Sequence, residues 1–286
     1  MIKADLHIHS DCSDGSDNIE HLASKILDAK IDIFALTDHD TIEGCKEMAK
    51  FIPAKITFIP SIELTCKADF VKCHILGYNC DYNNKALLDL IEKGKILRTR
   101  KLETRIEYLK NKWNIELTPE ELNWLYSRKS VVKTHIANIL VNRNLAKDNV
   151  SAMKKYLDGC KSGDTRFTGE EAINAIKTSG GIPVWAHPLG GEGEEHINQK
   201  DFYTKFEVLK SQGIKGLECY YSRYSQEEIE FLVNVANKNN MLISGGSDYH
   251  GSNKDIPLAK LNIDTKFIDI SKLTLIKEMK LLSTCQ

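Results

Sequence analysis

No apolar run in this chain approaches the roughly 18 residues that a membrane-spanning helix needs. The N-terminus, Met1-Ile2-Lys3-Ala4-Asp5-Leu6-His7, puts an acid where a secretory signal would carry its apolar stretch. No CxxC pair joins the eight cysteines, at positions 12, 45, 66, 73, 80, 160, 219 and 285, so they suit free thiols in a reducing compartment better than a disulfide framework. Internal repeats and low-complexity tracts are absent, and net charge is almost absent, with 39 Lys and Arg against 40 Asp and Glu. What remains is an ordinary globular composition of 42% hydrophobic and 28% charged residues over 286 positions, enough for one large domain or two modest ones. Disordered, collagen-like and small disulfide-stapled proteins are thereby excluded. The expectation is a cytoplasmic protein with no membrane contact and no obligate protein partner.

The even total hides an uneven distribution. Residues 85–161 hold 17 Lys and Arg against 9 Asp and Glu, a local +8 that leaves −9 for the rest. Such a basic segment can attract anions, or it can simply be a set of solvated lysine-rich helices.

Outside that segment, short apolar runs alternate with helical patterns. Strands are expected at Ala4–Ile8, Ile33–Leu36, Ile56–Ile62, His74–Tyr78, Ile182–Ala186, Gly216–Tyr220 and Leu242–Ser244. Between them Ile19/Leu22/Ala23/Ile26/Leu27, Ala172/Ile173/Ile176 and Ile229/Leu232/Val233/Ala236 have helical spacing. Thr168 with Glu171 and Ser225 with Glu228 fit capping boxes, and Gly180-Gly181 reads as a helix stop. Repeated strand–helix units imply an α/β fold with a mainly parallel sheet, open or closed into a barrel.

Residues 84–161 break the rhythm. Leu102, Ile106, Leu109 and Trp113 are helically spaced, Thr118-Pro119-Glu120-Glu121 opens a capped helix, and His135 to Leu140 and Ala152 to Leu157 also read as helical. An all-helical insertion is expected at 84–161, with 1–83 and 162–286 forming the strand–helix body.

Seven of the nine histidines, His7, His9, His39, His74, His135, His187 and His250, lie at expected strand ends or beside acids. His7 and His9 are two apart, so a strand presents both imidazoles on one face. Asp38-His39-Asp40 follows the second strand, Glu63 ends the third, and Asp248-Tyr249-His250 follows the last. The C-terminal ends of strands are where β/α folds build active sites. Taken singly each residue has a plainer reading: Asp40 as a helix cap, Asp14 in Ser13-Asp14-Gly15 as a turn residue, His135 as a core histidine on a helix. Together they make a nitrogen and carboxylate ligand set without cysteine, suited to zinc, iron or manganese.

Asp5-Leu6-His7-Ile8-His9-Ser10, Thr37-Asp38-His39-Asp40, Ile59-Pro60-Ser61-Ile62-Glu63, His74-Ile75-Leu76-Gly77-Tyr78, Thr134-His135-Ile136-Ala137, Ala186-His187-Pro188 and Gly246-Ser247-Asp248-Tyr249-His250 occur in that order along nearly the whole chain. In this the sequence resembles the PHP (polymerase and histidinol phosphatase) family. The resemblance implies a distorted (β/α)7 barrel holding two to three divalent ions, of manganese, zinc, iron or magnesium. It implies that His7, His9, Glu63 and Asp248 bind one ion, that Glu63 bridges to a second held also by His74 and His135, and that Asp14, His39 and His250 hold a third. The helical insertion is similar to that of the branch acting on nucleoside 3′,5′-bisphosphates and on the 5′ ends of short RNA. That branch commonly has Arg-Pro before the insertion histidine and an Arg soon after His-Pro, where this chain has Lys133-Thr134 and Leu189-Gly190-Gly191.

The expected activity is hydrolysis of a phosphomonoester by metal-activated hydroxide, with a small nucleotide or short oligoribonucleotide as substrate. His187 is expected to protonate the leaving oxygen or contact the phosphate. Lys133, Arg143, Arg166 and Arg223 are candidate phosphate contacts, and Tyr220, Tyr221, Tyr224 and Phe167 are candidates to stack a base. The alternatives are a phosphatase for a non-nucleotide ester such as histidinol phosphate and a non-catalytic metal-binding regulatory module.

Overall fold

The computed structural model describes residues 2–68, 71–161, 163, 166–192, 194–261 and 266–280. Strands β1 (Ala4–Ile8), β2 (Ile33–Leu36), β3 (Thr57–Ala68) and β4 (Val71–Tyr78) precede a helical stretch. After it come β5 (Phe167–Thr168), β6 (Ile182–Trp185), β7 (Gly216–Tyr221) and β8 (Leu242–Gly246). Seven of them form a curved sheet in the order β1-β2-β3-β4-β6-β7-β8, while the two-residue β5 pairs with β3. The two ends of this order meet. Ile8 bridges Tyr249, and Asp248 N–H and His9 N–H donate to the carbonyls of His7 and Tyr249, both at 2.9 Å, so the sheet nearly closes into a barrel.

The strands form because apolar residues occupy both of their faces. Along β2, Phe34 and Leu36 join the cluster that includes Ile19, Leu22 and Ile26 of α1 (Ile19–Asp28), whereas Ile33 and Ala35 join Ala4, Leu6, Ile59, Leu275 and Ile276 on the other side. That alternation is the two-residue period of a strand. The outer helices are α1, α2 (Glu43–Met48), α7 (Gly169–Thr178), α8 (Gln199–Gln212) and α9 (Gln226–Lys238), with α10 (Thr274–Glu278) under the second cluster. Both capping boxes form: Glu171 N–H donates to Thr168 Oγ1 at 3.0 Å and Glu228 N–H to Ser225 Oγ at 3.3 Å. Gly180 ends α7 at φ +77°, a conformation that costs glycine little.

Between β4 and β5 lie α3 (Lys85–Trp113), α4 (Pro119–Tyr126), α5 (Lys133–Asn142) and α6 (Asn149–Ala152), the last running into a π-turn over Met153–Leu157. Leu102, Leu109, Leu125, Ile136, Leu140 and Tyr156 form an apolar cluster separate from the two that flank the sheet. The first turns of α3 belong elsewhere, since Leu87, Leu90 and Ile91 pack with the barrel helices. No helix among the described residues is long and apolar enough to cross a membrane.

Five features depart from the sequence reading. β4 runs antiparallel to both β3 and β6, because two residues separate Ala68 from Val71 and a parallel crossover needs a dozen or more. β3 continues five residues past Glu63, and β5 and α8 were not expected. Asp40 does not cap α2, whose N-cap is Ile42. It accepts from Thr65 N–H at 2.7 Å and pairs with Arg98 of α3, tying the helical stretch to the end of β2. Among the described residues seven cysteines are free thiols; Cys285 lies outside them.

Barrel closure depends on Gly246. A Cβ there would stand 2.3 Å from His7 Cβ and 2.4 Å from His7 N, backbone distances that cannot be relieved by a side-chain rotation. Gly246→Ala is expected to destabilise the fold by about 1–3 kcal/mol, as overpacking does, read as a lower denaturant midpoint. An unchanged midpoint would show that β8 can yield without loss.

Candidate metal centre

The strands and the turns that follow them supply the polar residues of the site. β1 supplies His7 and places His9 just beyond its last residue, and both are fully buried. The turn after β1 carries Asp14, and Asp38 shapes that turn by accepting from Ser10 N–H at 2.8 Å and from the Ser10 and Ser13 hydroxyls at 2.6 and 2.5 Å. His39 follows β2 and bridges to Glu63 on β3. His74 comes from β4, His187 from the end of β6, and Asp248 and His250 from the end of β8.

Glu63 stands at the centre. Its Oε2 lies 3.3 Å from His7 Nε2, 3.2 Å from His9 Nε2 and 3.2 Å from His39 Nδ1, and its Oε1 lies 3.0 Å from His74 Nδ1 and 3.1 Å from His187 Nε2. Asp248 Oδ1 is 3.4 Å from each of His7 Nε2, His9 Nε2 and His250 Nδ1. Asp14 Oδ1 is 3.2 Å from His250 Nε2, 3.7 Å from His9 Nδ1 and 3.9 Å from His39 Nε2. Burial opposes each of these charges. The imidazoles around Glu63 and Asp14 nonetheless hold those carboxyls well below the usual carboxylate range, and Lys254, His7 and His250 do so for Asp248. His9 is driven down by burial but up by Asp248 and Glu63, to about 9.

The tautomers suit a cation. His7 Nδ1 lies 2.8 Å from the Glu218 carboxylate and His250 Nδ1 lies 2.8 Å from the Asp248 carbonyl. An oxygen without a hydrogen can only accept, so both Nδ1 atoms donate and, in the neutral ring, both Nε2 atoms turn a lone pair inward. A second carboxylate or carbonyl behind a histidine is the usual support of a metal-ligating imidazole. His7 Nε2 and His9 Nε2 approach to 3.1 Å, and the buried Asp14 Oδ1 and His39 Nδ1 make no hydrogen bond. Unsatisfied buried polar atoms are costly, and divalent ions would satisfy them. Three groups offer ligand atoms within 4.8 Å of one another: His9, Asp14, His39 and His250; His7, His9 and Glu63; and His39, Glu63 and His74. A fourth joins His74, His187 and Glu194.

His135 is not drawn into these groups. Val132 N–H donates to its Nδ1 at 3.0 Å, so the neutral ring carries its proton on Nε2. Burial lowers its pKa to about 4, and its ring packs edge-on against Trp124 at 5.4 Å.

His187 takes a left-handed backbone with φ +29°, held by its own N–H donating to Glu218 Oε2 at 2.8 Å. Its Nδ1 lies 3.2 Å from Glu194. Burial alone would lower its pKa, but Glu194 and Glu63 raise it to about 10.

A cavity of about 770 Å³ opens onto the cluster, lined by Asp14, His39, Glu63, His74, His187, Asp248 and His250. Of the candidate phosphate contacts, Lys133 and Arg166 line it. Arg143 and Arg223 do not: Arg143 is taken up by Glu121 and the Glu116 carbonyl, and Arg223 by Glu192 and Asp255. The base-stacking candidates also fall away. Phe167 and Tyr221 are enclosed in the core, Tyr221 Oη donates to Asp248 at 2.9 Å, Tyr224 Oη accepts from Leu189 N–H, and Tyr220 packs between the two barrel clusters. Glu218 and Glu194 were missed. Glu218 had a signal, a lone acid inside the apolar run of β7, whereas Glu194 sits in a loop that gave none.

A family model described as PHP domain matches residues 5–165. The chain is 27% identical over 252 residues to the 5′-3′ exoribonuclease Rnm of Escherichia coli, covering 86% of this chain and 84% of that one. It is 26% identical over 257 residues to a 3′,5′-nucleoside bisphosphate phosphatase of Chromobacterium violaceum, covering 87% and 88%. Its fold is shared with a solved Chromobacterium violaceum amidohydrolase, at TM-score 0.84, 22% identity and 98% and 96% coverage. A Bifidobacterium adolescentis structure matches at TM-score 0.81, 21% identity and 99% and 96% coverage. The family model spans more than half of the chain and contains β1 to β4, which carry or lead into His7, His9, Asp14, His39, Glu63 and His74; the protein therefore belongs to the PHP domain family and is a metal-dependent phosphoric ester hydrolase.

Proposed function

We propose that the enzyme removes a phosphate from a small nucleotide, either a 3′,5′-bisphosphonucleotide or the 5′ end of a short RNA. The observation that carries this reading is a cavity lined both by the histidine and carboxylate cluster and by Lys72, Lys133 and Arg166, with Val150, Met153 and Trp185 adding apolar surface. At about 770 Å³ it is of a size that encloses a small organic ligand. The names of the Escherichia coli and Chromobacterium violaceum relatives support the same substrate class. We take 84–161 as an inserted helical unit and 1–83 with 162–286 as the barrel, and place the protein in the cytoplasm.

In this reading His7, His9, Glu63 and Asp248 would hold one divalent ion, Glu63 and His74 would share in a second, and Asp14, His39 and His250 would hold a third; His135, expected with the second, is not grouped with those ligands. Bound there, such ions lower the pKa of water and offset phosphate charge. Glu218 fixes the ring of His7 and the backbone of His187 at once, so one buried carboxylate positions a ligand and the acid. His187 holds a proton at Nε2 on the cavity side and gives it to the departing ribose oxygen. Lys133 and Arg166, which line the same cavity, hold the phosphate oxygens.

Phosphate release measured across nucleoside monophosphates, 3′,5′-bisphosphates, a short 5′-phosphorylated RNA, histidinol phosphate and sugar phosphates tests this. The nucleotide compounds are expected to lead. Preference for histidinol phosphate would replace the reading with a non-nucleotide phosphatase, and no release from any would favour a regulatory module.

If the basic stretch at 85–161 steers the substrate, kcat/KM for a nucleotide will fall several-fold as salt rises from about 0.05 to 0.5 M, because the screening length drops below about 10 Å. Efficiency independent of salt would leave those lysines as solvated surface.

A further inference from the structure

Tyr221 ends β7 with its ring fully enclosed, where a phenylalanine would fill the same space. Its hydroxyl is engaged on both sides. The Glu192 N–H lies 2.9 Å from Tyr221 Oη, and a backbone N–H can only donate, so the oxygen accepts there. The single phenolic proton is left for Asp248 Oδ2, also at 2.9 Å. Lys254 Nζ donates to the same Oδ2. Asp248 Oδ1 takes neither bond and stands 3.4 Å from a ring nitrogen of each of His7, His9 and His250. The carboxylate is thus held by one oxygen and presented by the other. Its backbone is fixed as well: Asp248 has an uncommon left-handed φ of +57°, and its N–H donates to the His7 carbonyl at 2.9 Å.

The segment bonded to the other side of the Tyr221 hydroxyl follows His187-Pro188 and lines the cavity with Gly190, Gly191, Glu192 and Glu194. Tyr224 holds the same segment, because its Oη accepts from Leu189 N–H at 2.7 Å, but among the described residues it makes no hydrogen bond to Asp248. We infer that Tyr221 is a positioning residue of the metal centre. Through one hydroxyl it fixes Asp248 as a ligand by Oδ1 and ties that ligand to the cavity wall at Glu192. A ligating carboxylate whose remaining oxygen is already bonded has less freedom to lose when an ion binds, and removing such support typically weakens a metal site by about 10–100-fold. Lys254 shares the first task of Tyr221, and Tyr224 shares the second. The inference rests on Asp248 holding an ion, as proposed above, and on no particular substrate.

Manganese titration against a competing chelator, with amide hydrogen exchange followed on the same proteins, tests it. Tyr221→Phe keeps the ring and removes only the oxygen. It is expected to weaken manganese binding at one site by about tenfold or more and to speed exchange at the Glu192 amide. Tyr224→Phe should speed exchange at Leu189 with manganese affinity unchanged, since it loosens the wall without releasing Asp248. Asp248→Asn sets the scale and should weaken manganese at least as much as Tyr221→Phe. Unchanged affinity in Tyr221→Phe beside a loss in Asp248→Asn overturns the inference while the ligand reading stands. Equal loss of affinity in the two tyrosine variants also overturns it, because the effect would then be one of packing in the wall. Unchanged affinity in Asp248→Asn removes Asp248 from the ligands and takes the inference with it.

Discussion

His187→Asn is expected to slow hydrolysis of a nucleotide phosphomonoester by about 10²–10⁴-fold, or roughly 3–5 kcal/mol, while barely affecting an activated aryl phosphate. A ribose oxygen leaves as a strongly basic alkoxide unless a proton reaches it in the transition state, whereas nitrophenolate departs unaided. The ring that would deliver that proton lies 3.1 Å from Glu63 and 3.2 Å from Glu194, and its backbone is pinned by Glu218. Paired kinetics on the two substrates, with metal content measured on the same preparations, decide the matter. Equal slowing of both substrates would make His187 a phosphate holder. Loss of metal would make it a ligand with His74 and Glu194, the one group among the described residues in which it could serve as such.

Glu63→Gln should be the most damaging single change to metal binding. The Glu63 carboxylate lies within 3.3 Å of five imidazoles, those of His7, His9, His39, His74 and His187. An amide keeps the shape but loses the charge and one acceptor, so in the proposed arrangement both ions that Glu63 would serve should weaken together. Asp14 meets only the His9, His39 and His250 side of the cluster, and Asp14→Asn should disturb the third ion alone. Metal analysis of wild type and both variants checks this, with greater loss in Glu63→Gln. Equal loss in the two would contradict the division of ligands.

Much of this centre is legible in the sequence because its parts follow from strand geometry. His7-x-His9 needs only the two-residue period, and Asp248 with His250 ends the last apolar run. The ends of β1 and β2 match the reading to the residue because their apolar stretches are bounded by polar residues on both sides. The misses have equally physical causes. α8 buries only a narrow stripe, Phe202, Phe206 and Leu209, in a mostly polar stretch. The direction of β4 depends on the length of its connection to β3 and not on its composition. The roles of Arg143 and Arg223 turned on which acids folding brings to them, Glu121 across 22 residues and Glu192 across 31. Glu218 reaches His7 across 211 residues, a pairing that only barrel closure creates. His135 depends on a tautomer set by the Val132 N–H, which residue identity alone does not express.

Phosphate release from adenosine 3′,5′-bisphosphate by chelator-stripped protein, followed as manganese is added back, tests most directly whether the strand-end cluster is the phosphoesterase centre. The account predicts that stripped wild type is inactive, that activity returns in step with metal uptake, and that Glu63→Gln regains neither at the same manganese concentration. Hydrolysis that persists after stripping, or that returns equally in Glu63→Gln, would contradict it.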